Sequence, residues 1–359
     1  MTLRTDSFVP SAEELRRAFA SQGPGELVFF ARQCLERGGY DQVLALGAAL
    51  PARFEEDPGL ALTLAVARFL AGDRPSATAA AAQILERRPD DLNALSVLAE
   101  MRARQGDRAG AVQALARLVE LYPDYPGAHA TLAALLMPGA SYRDVLRTVH
   151  ATLRPRTYLE LGVAGGATLA LATGAAVAVG VDPVEAPLEA VLPAGARIVR
   201  ATSAAFFAEN RREDVFGAHP VELTFVDGLH EFETALEDFL AAEAWSSAAG
   251  TIVLHDCVPI ARVTARRERA TRFWVGDTWK AAWALARQRP ELRIRTILAP
   301  PSGLVVVRRL DPLAAGERRD FSRVKAELAP LEYPLGVGEW PEPLHVVPNT
   351  PAGVAEALG

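Results

Sequence analysis

The chain has 359 residues, 50% of them hydrophobic and 23% charged, which is enough for two globular domains with full cores. Its net charge of −6 gives no electrostatic reason to expect a nucleic-acid partner. Cys34 and Cys257 fall in different predicted domains, so we expect no disulfide framework and a reducing compartment. The N-terminus lacks the apolar core of a signal peptide, and glycines interrupt the most apolar run, 163–181. We therefore expect no membrane span and a cytoplasmic location.

The first third of the sequence repeats with a period of 34 residues. Three glycines keep this spacing, and an alanine precedes each of them by seven residues. The positions are Gly38, Gly72 and Gly106, with Ala31, Ala65 and Ala99. This period is typical of helix-turn-helix repeats of the tetratricopeptide kind. In such a repeat the alanine lets two helices approach, and the glycine ends the first helix.

These observations divide the chain into four predicted segments. Residues 1–23 form an N-terminal extension or lead helix, and 24–137 form an all-α domain. That domain holds three repeats, over 24–57, 58–91 and 92–125, and a capping helix near 126–136. The first repeat departs from the pattern, because Glu55 stands where the later units have a proline. Residues 138–312 form an α/β domain, and 313–359 form a C-terminal extension that packs over the domain or is partly disordered.

From Ser141 onward, strands alternate with helices. Ser141 is predicted to cap a helix ending near Leu153, which leads into the first strand at Tyr158. Later strands are predicted at 179–182, 197–200, 222–227, 251–255, 293–298 and 304–309, the last two as an antiparallel pair at the sheet edge. Such alternation predicts a doubly wound, mostly parallel sheet with helices on both faces, which is a Rossmann-like α/β fold.

A glycine-rich turn follows the first strand of this sheet. The segment reads Glu160-Leu-Gly-Val-Ala-Gly-Gly166 and is followed by a predicted helix of small residues. The second strand ends at Asp182, where a carboxylate can accept both hydroxyls of a ribose. A pyrophosphate would require glycine at Ala164, so the turn suits an adenosine ligand without phosphates. S-adenosylmethionine is such a ligand.

Polar side chains follow all five predicted parallel strands, at the edge where such sheets bind ligands. The fourth strand ends in Asp227-Gly228-Leu229-His230, and the fifth ends in His255-Asp256. His230 or His255 can remove a proton from a substrate hydroxyl, so both are catalytic candidates together with Asp227. Asp227 and Asp256 would suit Mg²⁺, although they would equally serve as structural acids.

Five arginines lie between the fifth strand and Trp274. They are Arg262, Arg266, Arg267, Arg269 and Arg272. One interpretation is a solvated helix face. The other is a lid over the substrate, in which the arginines hold a carboxylate or phosphate and Trp274 or Trp279 stacks on a ring.

Residues 141–312 resemble the class I S-adenosylmethionine-dependent methyltransferases, most of all a bacterial small-molecule branch with an Asp-Gly-x-His motif. The segments that carry the resemblance are 159–163, 225–230, 254–256 and 274–280. It implies that Glu160, the glycine turn, Asp182 and Ser203 surround the cofactor, with Asp182 on the ribose and Ser203 near the adenine. The implied cofactor-binding set is Glu160, Gly162, Val163, Gly165, Gly166, Asp182, Ser203 and Asp227. Some relatives bind a divalent metal at the positions of Asp227 and Asp256.

Ala164 departs from the family pattern, because many of these enzymes have glycine there. Alanine fits such a turn if its φ is negative, so a negative φ is expected.

The sequence thus predicts a methyltransferase acting on a hydroxyl of a small molecule such as a secondary metabolite or a sugar. N-methylation stays open, and it would need less from a base. One alternative is a non-catalytic scaffold whose repeats bind a protein partner or a second copy, beside a domain that senses the cofactor. A nicotinamide-dependent oxidoreductase is the other alternative, and the missing Gly-x-Gly-x-x-Gly motif disfavours it.

Overall fold

A computed structural model describes residues 22–50, 57–312, 320–340 and 342–359, together with Arg17. Glu55 and nearly all of the predicted segment 1–23 lie outside the described residues. The chain divides into two compact units, 1–125 and 126–359. The predicted domain boundary after residue 137 lies one helix further along the chain. Among the described helices, none is long and apolar enough to cross a bilayer.

The first unit consists of helix pairs that recur every 34 residues. The helices are α1 (Pro24–Glu36), α2 (Tyr40–Ala49), α3 (Pro58–Leu70), α4 (Arg74–Arg87), α5 (Leu92–Arg104) and α6 (Arg108–Leu121). Ala31, Ala65 and Ala99 are buried, as close helix packing requires. This confirms the predicted all-α fold, whereas a relationship to tetratricopeptide proteins stays a prediction.

Specific residues begin and end these helices. The Asp57, Asp73, Asp91 and Asp107 side chains each accept a hydrogen bond from a backbone N–H three residues later, at 2.9 to 3.3 Å. Such caps satisfy N–H groups that a helix leaves unpaired. Each first helix of a pair ends at a glycine with positive φ, for example +80° at Gly106. The left-handed backbone there stops the helix and turns the chain into its partner.

The second unit is built on one eight-stranded sheet. Its strands are β1 (Thr157–Leu161), β2 (Val177–Val181), β3 (Ala196–Val199), β4 (Val221–Val226), β5 (Ser246–His255), β6 (Arg293–Ile297), β7 (Leu304–Arg308) and β8 (Val346–Val347). The strand order is β3-β2-β1-β4-β5-β7-β6-β8. The first five strands are parallel, and β7 is antiparallel to both β5 and β6. This confirms the doubly wound α/β fold.

Helices cover both faces of the sheet, so its central strands are buried on either side. The helices of this unit are α7 (Ala128–Leu136), α8 (Tyr142–Leu153), α9 (Ser203–Glu209), α10 (Arg212–Phe216), α11 (Phe232–Trp245), α12 (Trp279–Gln288), α13 (Ser322–Leu328) and α14 (Pro351–Leu358). Ser141 caps α8, as predicted, by accepting a hydrogen bond from the Asp144 N–H at 3.2 Å.

The prediction of a small-residue helix between the first two strands is wrong. Only one 3₁₀ turn, Leu169–Leu171, forms in that segment. Gly166, with φ +76°, and Gly174 lie on either side of this short stretch, which leaves too few residues for a stable α-helix.

The described part of the C-terminal segment belongs to the α/β unit. Strand β8 pairs with β6, so the antiparallel pair β6 and β7 is not the edge of the sheet. Val354 and Leu358 of α14 join the core that also holds Val145 of α8. The predicted extension 313–359 is therefore partly a layer of the domain, and 313–319 and 341 lie outside the described residues.

Gly106→Ala is expected to destabilise the end of α5, because alanine is strained in a backbone with φ +80°. The cost does not come from a steric clash, since no atom lies within 4 Å of the added Cβ. The expected cost is about 1 kcal/mol. Hydrogen exchange of the full-length chain measures it as faster exchange over residues 92–121. Gly25→Ala is the matched control, since Gly25 lies in α1, has open space around it and lacks a positive φ. Equal exchange in both variants would contradict the assignment.

Candidate active site

A cleft of about 1110 Å³ opens at the carboxyl ends of the parallel strands. Leu161, Val181, Asp227 and His255, at the ends of β1, β2, β4 and β5, contribute to its lining. The strand order reverses between β1 and β4, which is where sheets of this type bind ligands. The volume slightly exceeds the range of about 300–1,000 Å³ common for single small-molecule sites. The cleft therefore has room for two ligands side by side.

The glycine turn forms one wall of this cleft. Gly162 has φ +86°, and a Cβ there would lie 1.9 Å from the Asp227 carbonyl oxygen. Only glycine fits at that position, and its absent side chain lets the end of β1 touch the end of β4. The Asp227 N–H donates to the Leu161 carbonyl at 2.8 Å across the same contact.

Ala164 has φ +44°, so the expectation of a negative φ is wrong. A left-handed alanine costs about 1–2 kcal/mol. Asp182 offsets part of this strain, because its Oδ2 accepts from the N–H groups of both Val163 and Ala164 at 2.9 Å. Its Oδ1 accepts from Val184 N–H at 2.8 Å. Burial alone would raise the pKa of Asp182, but these three donors outweigh it and hold the pKa below its usual value.

Glu160 is fully buried and does not line the cleft. Its carboxyl group accepts hydrogen bonds from the Tyr158 hydroxyl at 2.6 Å and the Thr168 hydroxyl at 2.7 Å. Burial raises its pKa to about 8, although both hydroxyls act in the opposite direction. Glu160 thus ties β1 to the segment after the glycine turn, a structural role rather than the predicted cofactor contact.

Four titratable side chains meet at the ends of β4 and β5. His255 Nδ1 lies 3.0 Å from Asp227 Oδ1, and His230 Nε2 lies 3.2 Å from Asp256 Oδ2. The remaining pairs are His230 Nε2 to Asp227 Oδ1 at 3.6 Å and His255 Nδ1 to Asp256 Oδ1 at 3.4 Å. We name Asp227, His230, His255 and Asp256 the acid–histidine cluster. The sequence predicted all four members, and the structure brings them together.

His230 is the more accessible histidine, with 23% of its side chain exposed against 7% for His255. Its Nδ1 lies 3.0 Å from the Trp274 carbonyl oxygen, which can only accept, so Nδ1 carries a hydrogen. The opposite nitrogen, Nε2, faces the carboxylates. The ring also stacks on Trp274 at 5.2 Å. Burial alone would lower the pKa of His230, but Asp227 and Asp256 outweigh it and raise the pKa.

His255 is held on every side. Tyr142 covers its ring at 4.3 Å, and Ser302 Oγ lies 3.3 Å from its Nε2. Burial lowers its affinity for protons, but Asp227 and Asp256 outweigh burial and raise its pKa to about 9. His255 is therefore an imidazolium near neutral pH, which makes it an electrostatic partner of the acids.

Asp256 is held in a left-handed conformation, with φ +56°. Ser302 Oγ donates to its Oδ1, and Thr278 Oγ1 donates to its backbone carbonyl at 2.6 Å. Strained backbone of this kind is retained where surrounding contacts over-determine it, often at functional sites.

A metal site could be built from part of this cluster. One ligand atom each from Asp227, His230 and Asp256 lies within 4.8 Å of the others. The two carboxylates predicted for Mg²⁺ are therefore close enough to share a cation.

Not every predicted cofactor residue reaches the cleft. Gly162, Val163, Gly165, Asp182, Ser203 and Asp227 line it, whereas Glu160 and Gly166 do not. Sequence reasoning also missed Tyr142 and Arg143, at the start of α8, and Asp238 of α11, which line it as well. Tyr142 and Arg143 precede the first strand and belong to no motif of the cleft. Asp238 lies on a helix that carries several other acids, so no sequence signal separates it from them.

Residues 159–257 match the sequence profile of a family described as a methyltransferase domain. This segment runs from β1 to just past β5 and includes the glycine turn, Asp182 and the acid–histidine cluster. Over this segment the chain is therefore similar to methyltransferase domains. No curated protein matches the chain.

Solved structures similar to the chain include two that cover about half of it. One is described as cofactor-bound Rv0187 from MTB, with 15% identity and a TM-score of 0.39, covering 54% of this chain and 94% of that one. Another is the O-methyltransferase from Bacillus cereus in complex with SAH, with 13% identity and a TM-score of 0.35, covering 53% and 94%. MamA MSR-1 C2 shows 20% identity and a TM-score of 0.28 over 34% of this chain and 66% of that chain. These likenesses are too distant to add to the evidence from the profile and the fold.

The sequence predicts S-adenosylmethionine as the ligand of the glycine turn. That molecule has a cationic sulfonium, an ammonium and one carboxylate. Five acids line the cleft, namely Asp182, Glu189, Asp227, Asp238 and Asp256, and they complement the two cations. Arg143 lies near the glycine turn, because it pairs with Glu189 at 3.8 Å and Glu189 N–H donates to the Gly165 carbonyl at 2.7 Å. Arg143 is therefore placed to face a carboxylate at that end.

Glu160→Gln is expected to reduce the pH dependence of stability. The folded pKa of about 8 lies above the ordinary value of 4.5, so the stabilising contribution of the bound proton is complete below pH 4.5 and is lost towards pH 8. Glutamine cannot ionise, and it keeps an acceptor for Thr168 and a donor for Tyr158. The difference in unfolding free energy between variant and wild type should grow by roughly 1 kcal/mol per pH unit at most.

Tryptophan fluorescence reports this change, because all five tryptophans lie in the second unit. Glu209→Gln, at an exposed glutamate of α9, is the control. Parallel stability curves for wild type and Glu160→Gln between pH 5 and 8.5 would contradict the assignment.

Proposed function

We propose that this chain transfers a methyl group from S-adenosylmethionine to a hydroxyl of a small molecule. The observation that carries the proposal is the orientation of His230, whose Nδ1 is committed to the Trp274 carbonyl while Nε2 faces two carboxylates. A cofactor end, formed by the glycine turn and Asp182, opens into the same cleft. An amine acceptor would need less from a base, so a fixed imidazole favours oxygen over nitrogen as the methylated atom.

S-adenosylmethionine supplies an already activated methyl group on sulfur. The work of the chain is therefore to bind and orient the two reactants and to move one proton. His230 Nε2 takes the proton of the acceptor hydroxyl while the hydroxyl oxygen bonds to the methyl carbon. The bond from that carbon to sulfur breaks, and its electron pair stays on sulfur, which leaves a neutral thioether. The resulting imidazolium is stabilised by Asp256 Oδ2 at 3.2 Å and Asp227 Oδ1 at 3.6 Å.

Asp227, His255 and Asp256 act through electrostatics in this proposal. His255 is hydrogen-bonded to Asp227 and to Ser302. In this way it keeps the carboxylate oxygens in place, with their negative charge close to His230. Asp182 orients the glycine turn through Val163 and Ala164, and it lines the cleft where a ribose would lie. Ser203 lines the same end, where adenine is expected.

A bound Mg²⁺ is the second hypothesis for the acid–histidine cluster. Asp227 and Asp256 would hold it through oxygens, the ligands that Mg²⁺ prefers. The cation would lower the pKa of an acceptor hydroxyl, and His230 would stay free as the base. Removal of divalent ions with a chelator, followed by return of Mg²⁺, distinguishes the two forms of the proposal.

For the first unit we retain the proposals made from the sequence. Its helix pairs are assigned to binding a protein partner or a second copy of the chain. A cytoplasmic location, a bacterial origin and the tetratricopeptide relationship likewise remain proposals.

Titration calorimetry of the full-length chain is expected to show saturable binding of S-adenosylmethionine and no binding of NAD. The glycine turn carries Ala164 at the position where a pyrophosphate-binding turn has its second glycine. Binding of NAD alone would point to the oxidoreductase alternative. Binding of S-adenosylmethionine without transfer to any hydroxylated acceptor would favour the cofactor-sensing scaffold.

His230→Gln is expected to lower the methylation rate by roughly 10²- to 10⁴-fold with unchanged cofactor affinity, because a general base is removed. The rate is measured with labelled S-adenosylmethionine and an acceptor found by screening. His219→Gln, at an exposed histidine between α10 and β4, should leave the rate unchanged. Full activity of His230→Gln would contradict the role of His230 as the base. So would a larger loss of activity in His255→Gln with intact folding, and either result would assign the base to His255.

A further inference from the structure

The arginine-rich segment 262–272 separates into arginines that hold the segment and arginines that face the cleft. Arg267 binds three acids, Glu231 at 2.9 Å, Glu233 at 2.6 Å and Asp277 at 3.5 Å. Arg262 donates to the Pro334 carbonyl at 3.2 Å. These contacts attach the segment to α11, to the start of α12 and to the C-terminal region.

Arg269 and Arg272 line the cleft beside Phe273 and Trp274. The Arg269 guanidinium donates to the backbone carbonyls of Thr271 at 3.4 Å and Arg272 at 3.1 Å, and it lies 6.0 Å from the centre of the Trp274 ring. In the part of the chain that the structure describes, Arg269 makes no ion pair with a carboxylate. Its charge is therefore available to a ligand.

The position of Arg269 is coupled to the catalytic base. Trp274, which it overlies, donates through Nε1 to the Arg266 carbonyl at 2.7 Å and stacks on His230 at 5.2 Å. The Trp274 carbonyl accepts from His230 Nδ1 at 3.0 Å. A group bound by Arg269 would thus lie on the same wall of the cleft as His230, at the acceptor end.

The cofactor has one carboxylate of its own, and Arg143 beside the glycine turn is placed for it. Arg269 and Arg272 lie on a different segment, next to the base. The Arg269 guanidinium, whose hydrogen bonds within the described residues go only to backbone carbonyls, is therefore left for the second ligand.

We infer that the acceptor is an anion, whose carboxylate or phosphate group binds Arg269 while its hydroxyl faces His230. The inference rests on the proposed function, since it treats the second ligand of the cleft as the methyl acceptor. Guanidinium groups pair with both oxyanions through charge-assisted hydrogen bonds, often two at a time. The rings of Phe273 and Trp274 would pack against the carbon skeleton that joins the two groups.

The test uses the full-length chain saturated with S-adenosylhomocysteine, so that the cofactor carboxylate is already in place. Benzoate, phenyl phosphate and the neutral benzyl alcohol are titrated by calorimetry into wild type, Arg269→Gln and Arg266→Gln. Arg266 is the matched control, because it lies in the same segment, is exposed and does not line the cleft. The two anions distinguish a carboxylate site from a phosphate site.

At least one anion is expected to bind roughly tenfold or more tightly than benzyl alcohol, since a charge-assisted pair replaces a neutral contact. Arg269→Gln should abolish this preference, and Arg266→Gln should keep it. The inference is overturned if neither anion binds, if benzyl alcohol binds as well as both anions, or if both variants lose the preference equally.

Failure of the proposed function gives a different result. In that case S-adenosylhomocysteine does not bind, which its own titration shows before any anion is added. The anions are then titrated without it. If they still bind more tightly than benzyl alcohol and this preference depends on Arg269, the anion site is supported and only the proposal of methyl transfer fails.

Discussion

The cleft depends on a close contact between the turn after β1 and the end of β4. Gly162 approaches the Asp227 carbonyl so closely that a Cβ would lie 1.9 Å from its oxygen. This contact lies at the point where the strand order reverses, and it joins the cofactor end of the cleft to the acid–histidine cluster. A larger residue at 162 would push the two ends apart. Since methyl transfer requires its reactants in line and in contact, that separation would remove the advantage of binding both in one cleft.

The members of the acid–histidine cluster partly neutralise one another's charge. Asp227 and Asp256 place two negative charges beside two imidazoles, and His255 is charged near neutral pH because its pKa is raised to about 9. One negative charge then remains, and it would be neutralised by the proton that His230 takes from the acceptor or by a bound cation. Either way, removal of a single member leaves a buried charge without its partner, which is costly. We therefore expect the four residues to behave as one unit.

Sequence reasoning was strongest where chemistry and periodicity coincide. The 34-residue spacing predicted helix pairs whose ends carry aspartate caps and left-handed glycines, and strand-end polar residues predicted the acid–histidine cluster. It failed where a tertiary contact decides a local conformation. Ala164 has a positive φ because Asp182 holds the turn from the neighbouring strand, and Glu160 turns into the core towards Thr168. Neither partner is visible in the local pattern, and Tyr142 and Arg143 reach the cleft from a helix outside its motifs.

The arginine-rich segment does not form the solvated helix face that was one of its two sequence interpretations, and only some of its arginines line the cleft. The segment forms only a short 3₁₀ turn, Arg262–Ala265, and a loop. Arg267 is committed to three acids, so one cation holds the wall in place while others face the cleft. A wall fixed in this way presents Arg269 and Trp274 without a folding step on binding, which lowers the entropic cost of recognising an acceptor. Selectivity would then come from the distance between the anionic group and the hydroxyl, because Arg269 and His230 are both held by Trp274.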